Sequence, residues 1–132
     1  MRDGDVRVEY ETVSDELDAA EEGSGRFESA LAHMEELAER GSVDAAETVA
    51  ELYCFSRVHR DAERAYRWYF RALSAQGYTT ALQDLNHTPP HYRGLAGDFR
   101  NEAAVNGLVE QLGFDRVREL DNELARTRWI PR

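Results

Sequence analysis

The sequence contains no lysine: all 16 basic residues are arginine, set against 26 acidic residues, for a formal net charge of −10 over 132 residues. No single site demands that absence, so it reads as a compositional bias. The sign of the charge is more informative. A field this negative repels phosphate backbones and anionic lipids and attracts basic partners, which disfavours general binding to nucleic acid or to a membrane surface. Cys54 is the single cysteine, so no internal disulfide can form. Only three prolines and nine glycines are present, which suits a helical protein better than a many-stranded one. No apolar run approaches the roughly 20 residues of a membrane span. The opening MRDGDVRVEY has no apolar core of the kind a signal peptide needs, so the expectation is a cytoplasmic protein. Phosphate-binding glycine loops, nucleophile elbows and zinc-ligand spacings are also missing.

What is present is enough for one folded domain with a modest core: 42% of residues are hydrophobic and 10% aromatic. Charge is unevenly spread. Residues 1–25 hold nine acids and two arginines, whereas residues 113–132 hold four acids and five arginines. The first 25 residues therefore read as an acidic segment, weakly ordered or a short cap, ahead of a single helical domain over 26–132. Within that segment VRVEYETV alternates well enough for a short strand, and SDELDAAEE reads as a helical turn or two.

From Phe27 a helical period takes over. Phe27, Ala30, Leu31, Met34, Leu37 and Ala38 fall on one face of residues 27–40, and Gly41 stops the helix. The next helix, 43–54, gathers Ala45, Ala46, Val49, Ala50, Leu52 and Tyr53 on one side and Asp44, Glu47, Thr48 and Glu51 on the other. Asp61 is placed to cap a third helix that runs to about Gln76. That helix contains ERAYRWYFRAL, in which aromatics and arginines interleave as they do in single-strand nucleic-acid grooves. At about 100° per residue they separate. Ala62, Ala65, Tyr66, Trp68, Tyr69, Ala72 and Leu73 share a broad arc with Phe70 at its edge, and Arg60, Arg64, Arg67 and Arg71 form a narrow stripe. The pattern predicts a packed aromatic face with a charged flank rather than a base-stacking platform. Further helices are expected over 78–87, over about 98–112 (Phe99, Ala103, Leu108, Val109 and Leu112 inward) and over about 114–128 (Phe114, Val117, Leu120 and Leu124). A loop is expected at 88–97, around Pro89-Pro90.

Gly41 and Gly77 stand 36 residues apart, and Ala45/Ala81 and Val49/Leu85 match at the same period. A period of that size with paired helices signals an α-solenoid. The details resemble the SEL-one-like repeat, a relative of the tetratricopeptide repeat. Gly41, Ala45, Val49, Ala50 and Tyr53 fit the first helix of that repeat, and Asp61, Ala65, Trp68, Tyr69 and Ala72 fit the second. ALAHMEELAERG (30–41) matches a repeat end, with His33 and Met34 in place of the usual Trp-Tyr pair. The loop between the helices lacks the family's glycines, and the repeat after Gly77 breaks at Pro89. The resemblance covers about residues 27–86. It implies an all-α fold: a short right-handed solenoid of antiparallel helix pairs with extra terminal helices.

Few residues invite chemistry. Asp84, His87 and His91 straddle the proline pair, with no fourth ligand evident. Glu21-Glu22 and Glu35-Glu36 are neighbours on helix-like segments and point in different directions, unlike an acid–base pair. No catalysis, cofactor or metal is expected. Two surfaces remain. The resemblance puts the first helix of each repeat on the concave side, so Asp44, Glu47, Thr48 and Glu51, with Thr80, Gln83, Asp84 and His87 one repeat later, form either an ordinary solvated face or a groove for a basic partner. The arginine stripe is the second candidate. Its like charges repel by a few tenths of a kcal/mol per pair, so they are either simply solvated or matched by acids, from the N-terminal segment or from a partner. The functional expectation is a protein–protein interaction module. Repeats of this family also occur in bacterial immunity proteins, so the specific expectation is an immunity protein that occludes a basic, nuclease-like toxin one-to-one. The alternative is a regulatory adaptor of a signalling or stress pathway.

Overall fold

The computed structural model describes residues 3–75, 99–127 and 129–131. Among these residues the chain is all-helical, with six helices and no strand. In chain order they are α1 (Asp3–Ala19), α2 (Gly25–Glu39), α3 (Val43–Phe55), α4 (Ala62–Ala75), α5 (Phe99–Leu112) and α6 (Phe114–Arg126). From α1 to α4 each helix packs on the next in the chain, and α5 and α6 pack on α4 and on each other.

Short polar caps explain where the middle helices begin. Ser24 accepts the Phe27 N–H at 3.2 Å to start α2, and Ser42 accepts the Ala45 N–H at 3.1 Å to start α3. Asp61 Oδ1 accepts the Arg64 N–H at 3.1 Å, capping α4 as its sequence position predicts. α2 stops at Gly41, whose φ of 105° is strained for any residue with a Cβ. The chain reverses there through hydrogen bonds from Gly41 N–H to Ala38 O and from Ser42 N–H to Leu37 O, which satisfy two terminal carbonyls. Gly113, with φ of 87°, separates α5 from α6 in the same conformational region.

The core follows the helical period. All six residues expected to face inward on α2 are buried, and on α3 only Leu52 of the expected set stays partly exposed. On α4 the rings of Tyr66, Trp68, Tyr69 and Phe70 are all inside. Burial of this kind stabilises by roughly 1.5–3 kcal/mol per large apolar side chain, which makes α4 the central element. Its rings are buried and leave no exposed platform for a base among the described residues. The tail folds back over this layer: Trp129 Nε1–H donates to Ala38 O at 2.8 Å, and the Trp129 ring stands edge-on to Trp68 with centroids 6.4 Å apart.

Three expectations need correction. VRVEYETV is not a strand but the middle of α1, because Tyr10, Val13 and Leu17 recur at helical spacing and pack towards the core. On α5 Leu108 and Val109 are buried as expected and Leu112 partly so, but Ala104 and Val105 also face inward while Ala103 is exposed; the side chain of Phe99 lies outside the described residues. Phe114 opens α6 but remains 43% exposed, because it starts the helix at a chain reversal and not over the core. The helix expected over 78–87 and the loop over 88–97 lie outside the described residues.

Candidate functional site: a cleft between α1 and α3

α1 and α3 both pack against α2, and between them lies an open cleft of about 490 Å³. One wall comes from α1 and the turn after it, with Ser14, Leu17, Asp18, Ala20 and Glu22. The other comes from α3, with Thr48, Glu51, Leu52 and Phe55, followed by Ser56. Phe27, at the start of α2, reaches the floor. The base is therefore apolar, from Leu17, Phe27 and Leu52, while Asp18 and Glu51 put carboxylates on opposite walls. Phe55 is 61% exposed, an unusually open position for a phenylalanine on a helix of a small domain.

Two cross-links set the spacing of the walls. Tyr10 and Thr48 share a hydrogen bond between their hydroxyls at 3.1 Å, tying α1 to α3 directly. At the opposite end Glu22 Oε1 accepts from the Ser56 hydroxyl at 2.5 Å and from the Val58 N–H at 3.1 Å. These bonds, the Ser56 hydroxyl first, hold the Glu22 carboxyl below its ordinary range. Ser56 is itself buried, and its Oγ also accepts the His59 N–H at 3.1 Å. The turn after α3 is thus pinned to the turn after α1. Further out, the Glu9 carboxylate meets Arg40 at 2.8 Å and His33 at 3.3 Å, which depress its pKa and fix α1 on α2.

The structure divides the acidic residues expected to line a groove. Thr48 and Glu51 line the cleft; Asp44 and Glu47, on the same helix, do not. Thr80, Gln83 and Asp84 lie outside the described residues, as does His87. The α1 wall was not anticipated from the sequence. Its detectable signal was the spacing of three and four residues between Tyr10, Val13 and Leu17, which also sets Ser14 and Asp18 one turn apart on the adjoining face.

Most of the arginine stripe is matched inside the chain, Arg67 by α6, Arg71 by α2 and Arg64 by residues beside its own helix. Arg67 pairs with both carboxylate oxygens of Glu123 at 3.0 Å, and this hydrogen-bonded pair lowers the Glu123 pKa. Arg71 lies over the Trp68 ring at 4.7 Å, with Glu39 at 4.0 Å; its partial burial pulls its pKa down. Arg64 bonds the Tyr53 hydroxyl at 3.3 Å and sits 5.5 Å from that ring, close to Asp61. Arg60 remains exposed. A parallel pair, Arg116 to both oxygens of Glu63 at 2.9 and 2.7 Å, further joins α6 to α4. Arg67 and Arg116 thus form a seam between α4 and α6, where fork-to-fork geometry gives direction as well as attraction.

Nothing in the described residues groups three or more His, Cys, Asp or Glu side chains as a metal site, and no helix there is long and apolar enough to cross a membrane. Cys54 is half-buried at the end of α3, and burial raises its thiol pKa, away from nucleophilic reactivity. No family model, curated protein or solved structure matches the chain.

Proposed function

We propose that this protein is a helical-repeat interaction module, of the SEL-one-like kind its motifs resemble, acting in the cytoplasm as an immunity protein. It binds one basic, nuclease-like toxin one-to-one and neutralises it by occlusion, without catalysis or a cofactor. The observation that carries this reading is the α1–α3 cleft: an apolar base between carboxylate-bearing walls, in a chain of net charge −10. Such a surface attracts a basic protein by long-range steering and then offers apolar area to hold it. The succession of helices, each packed on the next, supports the solenoid reading. The fit of Gly41, Ala45, Val49, Ala50 and Tyr53 to the first helix of that repeat, and of Asp61, Ala65, Trp68, Tyr69 and Ala72 to its second, supports the repeat.

The test is affinity purification of the tagged protein from its native host at low salt, with mass spectrometry of the co-eluting material. A single stoichiometric basic protein, whose toxicity this chain suppresses on co-expression, is the expected result. Several substoichiometric proteins would favour a regulatory adaptor, and none at all would refute the immunity reading. With the partner in hand, Glu47→Lys/Glu51→Lys should slow association at low salt, with Glu51→Lys supplying most of the effect because only Glu51 lines the cleft. Unchanged association rates in the double variant would remove the cleft from the interface.

A further inference from the structure

The structure assigns a second site, between α4, α6 and the tail, to a small organic monocarboxylate that carries an apolar ring. Arg71 takes the carboxylate, and Phe70, Leu124 and Trp129 take the ring. The site shares no lining residue with the α1–α3 cleft, so it does not depend on the immunity reading.

Arg71 is the reason to look here. Only 18% of its side chain is exposed, yet no acceptor among the described residues takes a hydrogen bond from its guanidinium. Glu39 comes to 4.0 Å, which is an ion pair but too long for a hydrogen bond, and that carboxylate is itself 65% exposed. Trp68 offers its ring face 4.7 Å from the guanidinium carbon, which attracts the charge without occupying the N–H groups. Arg67 and Arg116 set the contrast: each lays its fork on a carboxylate at 2.7 to 3.0 Å. A guanidinium withdrawn from water needs its acceptors replaced. Those of Arg71 come through the cavity that it lines.

That cavity has a volume of about 170 Å³. A space of roughly 150 Å³ suffices for a benzene ring, so one ring with a short arm fits and a drug-sized molecule does not. Phe70 and Leu124 supply apolar surface from the helices, and Trp129 and Pro131 close the other side from the tail. Arg71 is the one charged side chain among the described lining residues, so it fixes which end of a ligand points inward. Its planar fork matches a carboxylate through two parallel bonds. Glu39 and Glu123 add negative charge around Arg71, which penalises a phosphate dianion more than a monocarboxylate. Because the walls belong to two helices and the tail, an occupied site also ties the tail to α4 and α6.

The experiment follows the 15N-labelled full chain by amide and indole resonances. Trp68 and Trp129 are the only tryptophans, so the two indole N–H signals report on this corner of the molecule. Four probes are titrated: phenylacetate, phenylacetamide, acetate and phenyl phosphate. Phenylacetate should shift the Trp129 indole and the amides of Phe70, Arg71, Leu124 and Thr127, with a Kd in the millimolar range or tighter. Phenylacetamide, which keeps the shape and loses the charge, should bind about tenfold more weakly, and acetate, which loses the ring, by a similar factor. Phenyl phosphate should also bind more weakly than phenylacetate. Arg71→Gln should abolish the response, and Arg71→Lys should weaken it at least threefold, since an ammonium has no fork. Melting temperatures check that the variants fold. If one does not, the comparison of phenylacetate with its amide on the wild type decides alone. Binding of phenylacetamide or acetate as tight as that of phenylacetate would overturn the assignment, as would tighter binding of phenyl phosphate. So would shifts confined to other surfaces, no shifts at millimolar phenylacetate, or full binding by a folded Arg71→Gln.

Discussion

Replacing Asp121 with asparagine should cost the fold little at neutral pH, or stabilise it, and should flatten its response to mild acid. Asp121 lies on α6 and accepts a hydrogen bond from the hydroxyl of Tyr66, whose ring is fully buried on α4. Burial raises its pKa from 3.8 to about 6, and the Tyr66 bond offsets only part of that rise. Charged groups nearby on both helices already have partners: Arg67 with Glu123, and Arg116 with Glu63. The folded carboxyl thus binds its proton more tightly than the unfolded one. It weakens folding above pH 6, and this penalty shrinks as pH falls towards 4. A gap from 3.8 to about 6, at ~1.4 kcal/mol per pH unit, caps the effect near ~3 kcal/mol. Asp121 is not fully buried, and solvent screening brings the expected value to about 1–2 kcal/mol. The depressed carboxyls, Glu9, Glu22, Glu63 and Glu123, act with the opposite sign. Their stabilisation is present above about pH 4.5 and is lost as pH falls further. Wild-type stability should therefore rise from pH 7 to about pH 5 and decline below that. Urea unfolding at half-unit pH steps measures it. Histidines as a class titrate in the same range, so the decisive quantity is the difference in slope between wild type and Asp121→Asn. The asparagine side chain still accepts from Tyr66. A wild-type slope that survives the substitution, or a loss of more than about 1 kcal/mol at pH 7, would refute the account.

Other perturbations test the frame around the cleft. Ser42→Ala removes the N-cap of α3 at a buried position and should cost about 1 kcal/mol in urea unfolding, with Ser42→Gly less damaging. Trp129→Phe keeps an aromatic edge against Trp68 but loses the hydrogen bond to Ala38 O; about 1 kcal/mol of destabilisation is expected, and the tail should become more protease-sensitive.

The buried faces were legible wherever apolar residues recur at helical spacing between clear stops. On α2 every expected residue is inside, and on α4 the aromatic rings are inside as the helical wheel predicts, although Arg71 reaches over the Trp68 ring. α1 was less legible because its apolar residues are sparse and its charges dense. Tyr10, Val13 and Leu17 make a stripe too narrow to outweigh a local alternation that also fits a strand, and packing against α2 decides the outcome. The cleft escaped for a related reason: half of it belongs to α1. Pattern shows which face of α3 is polar. It does not show that Thr48 is bridged to Tyr10 while Glu51 lines the cleft across from Asp18, because that depends on where a second helix lies.

The placement of charge connects these observations. The arginines of the stripe mostly face acids of their own chain: Arg67 meets Glu123, Arg71 approaches Glu39, and Arg64 sits beside Asp61. Residues 113–132 carry a small positive balance, so α6 brings its acids to a stripe that needs them and its Arg116 to Glu63. That side of the molecule is close to neutral. The surplus of acid lies instead in residues 1–25, which hold nine carboxylates and two arginines and supply one entire wall of the cleft. Field lines from a surplus on one flank concentrate at a concave surface with an apolar floor, where the local dielectric is lowest. Deleting α1 and neutralising it are therefore different experiments. Deletion removes the packing of Val13 and Leu17, whereas Asp15→Asn/Glu16→Gln/Asp18→Asn keeps the helix and lowers the field. If steering governs encounter, the triple variant should slow association several-fold at low salt and converge with wild type as the Debye length falls to about 3 Å near 1 M salt. A slowing that persists at high salt would place the loss in direct contacts and not in the field.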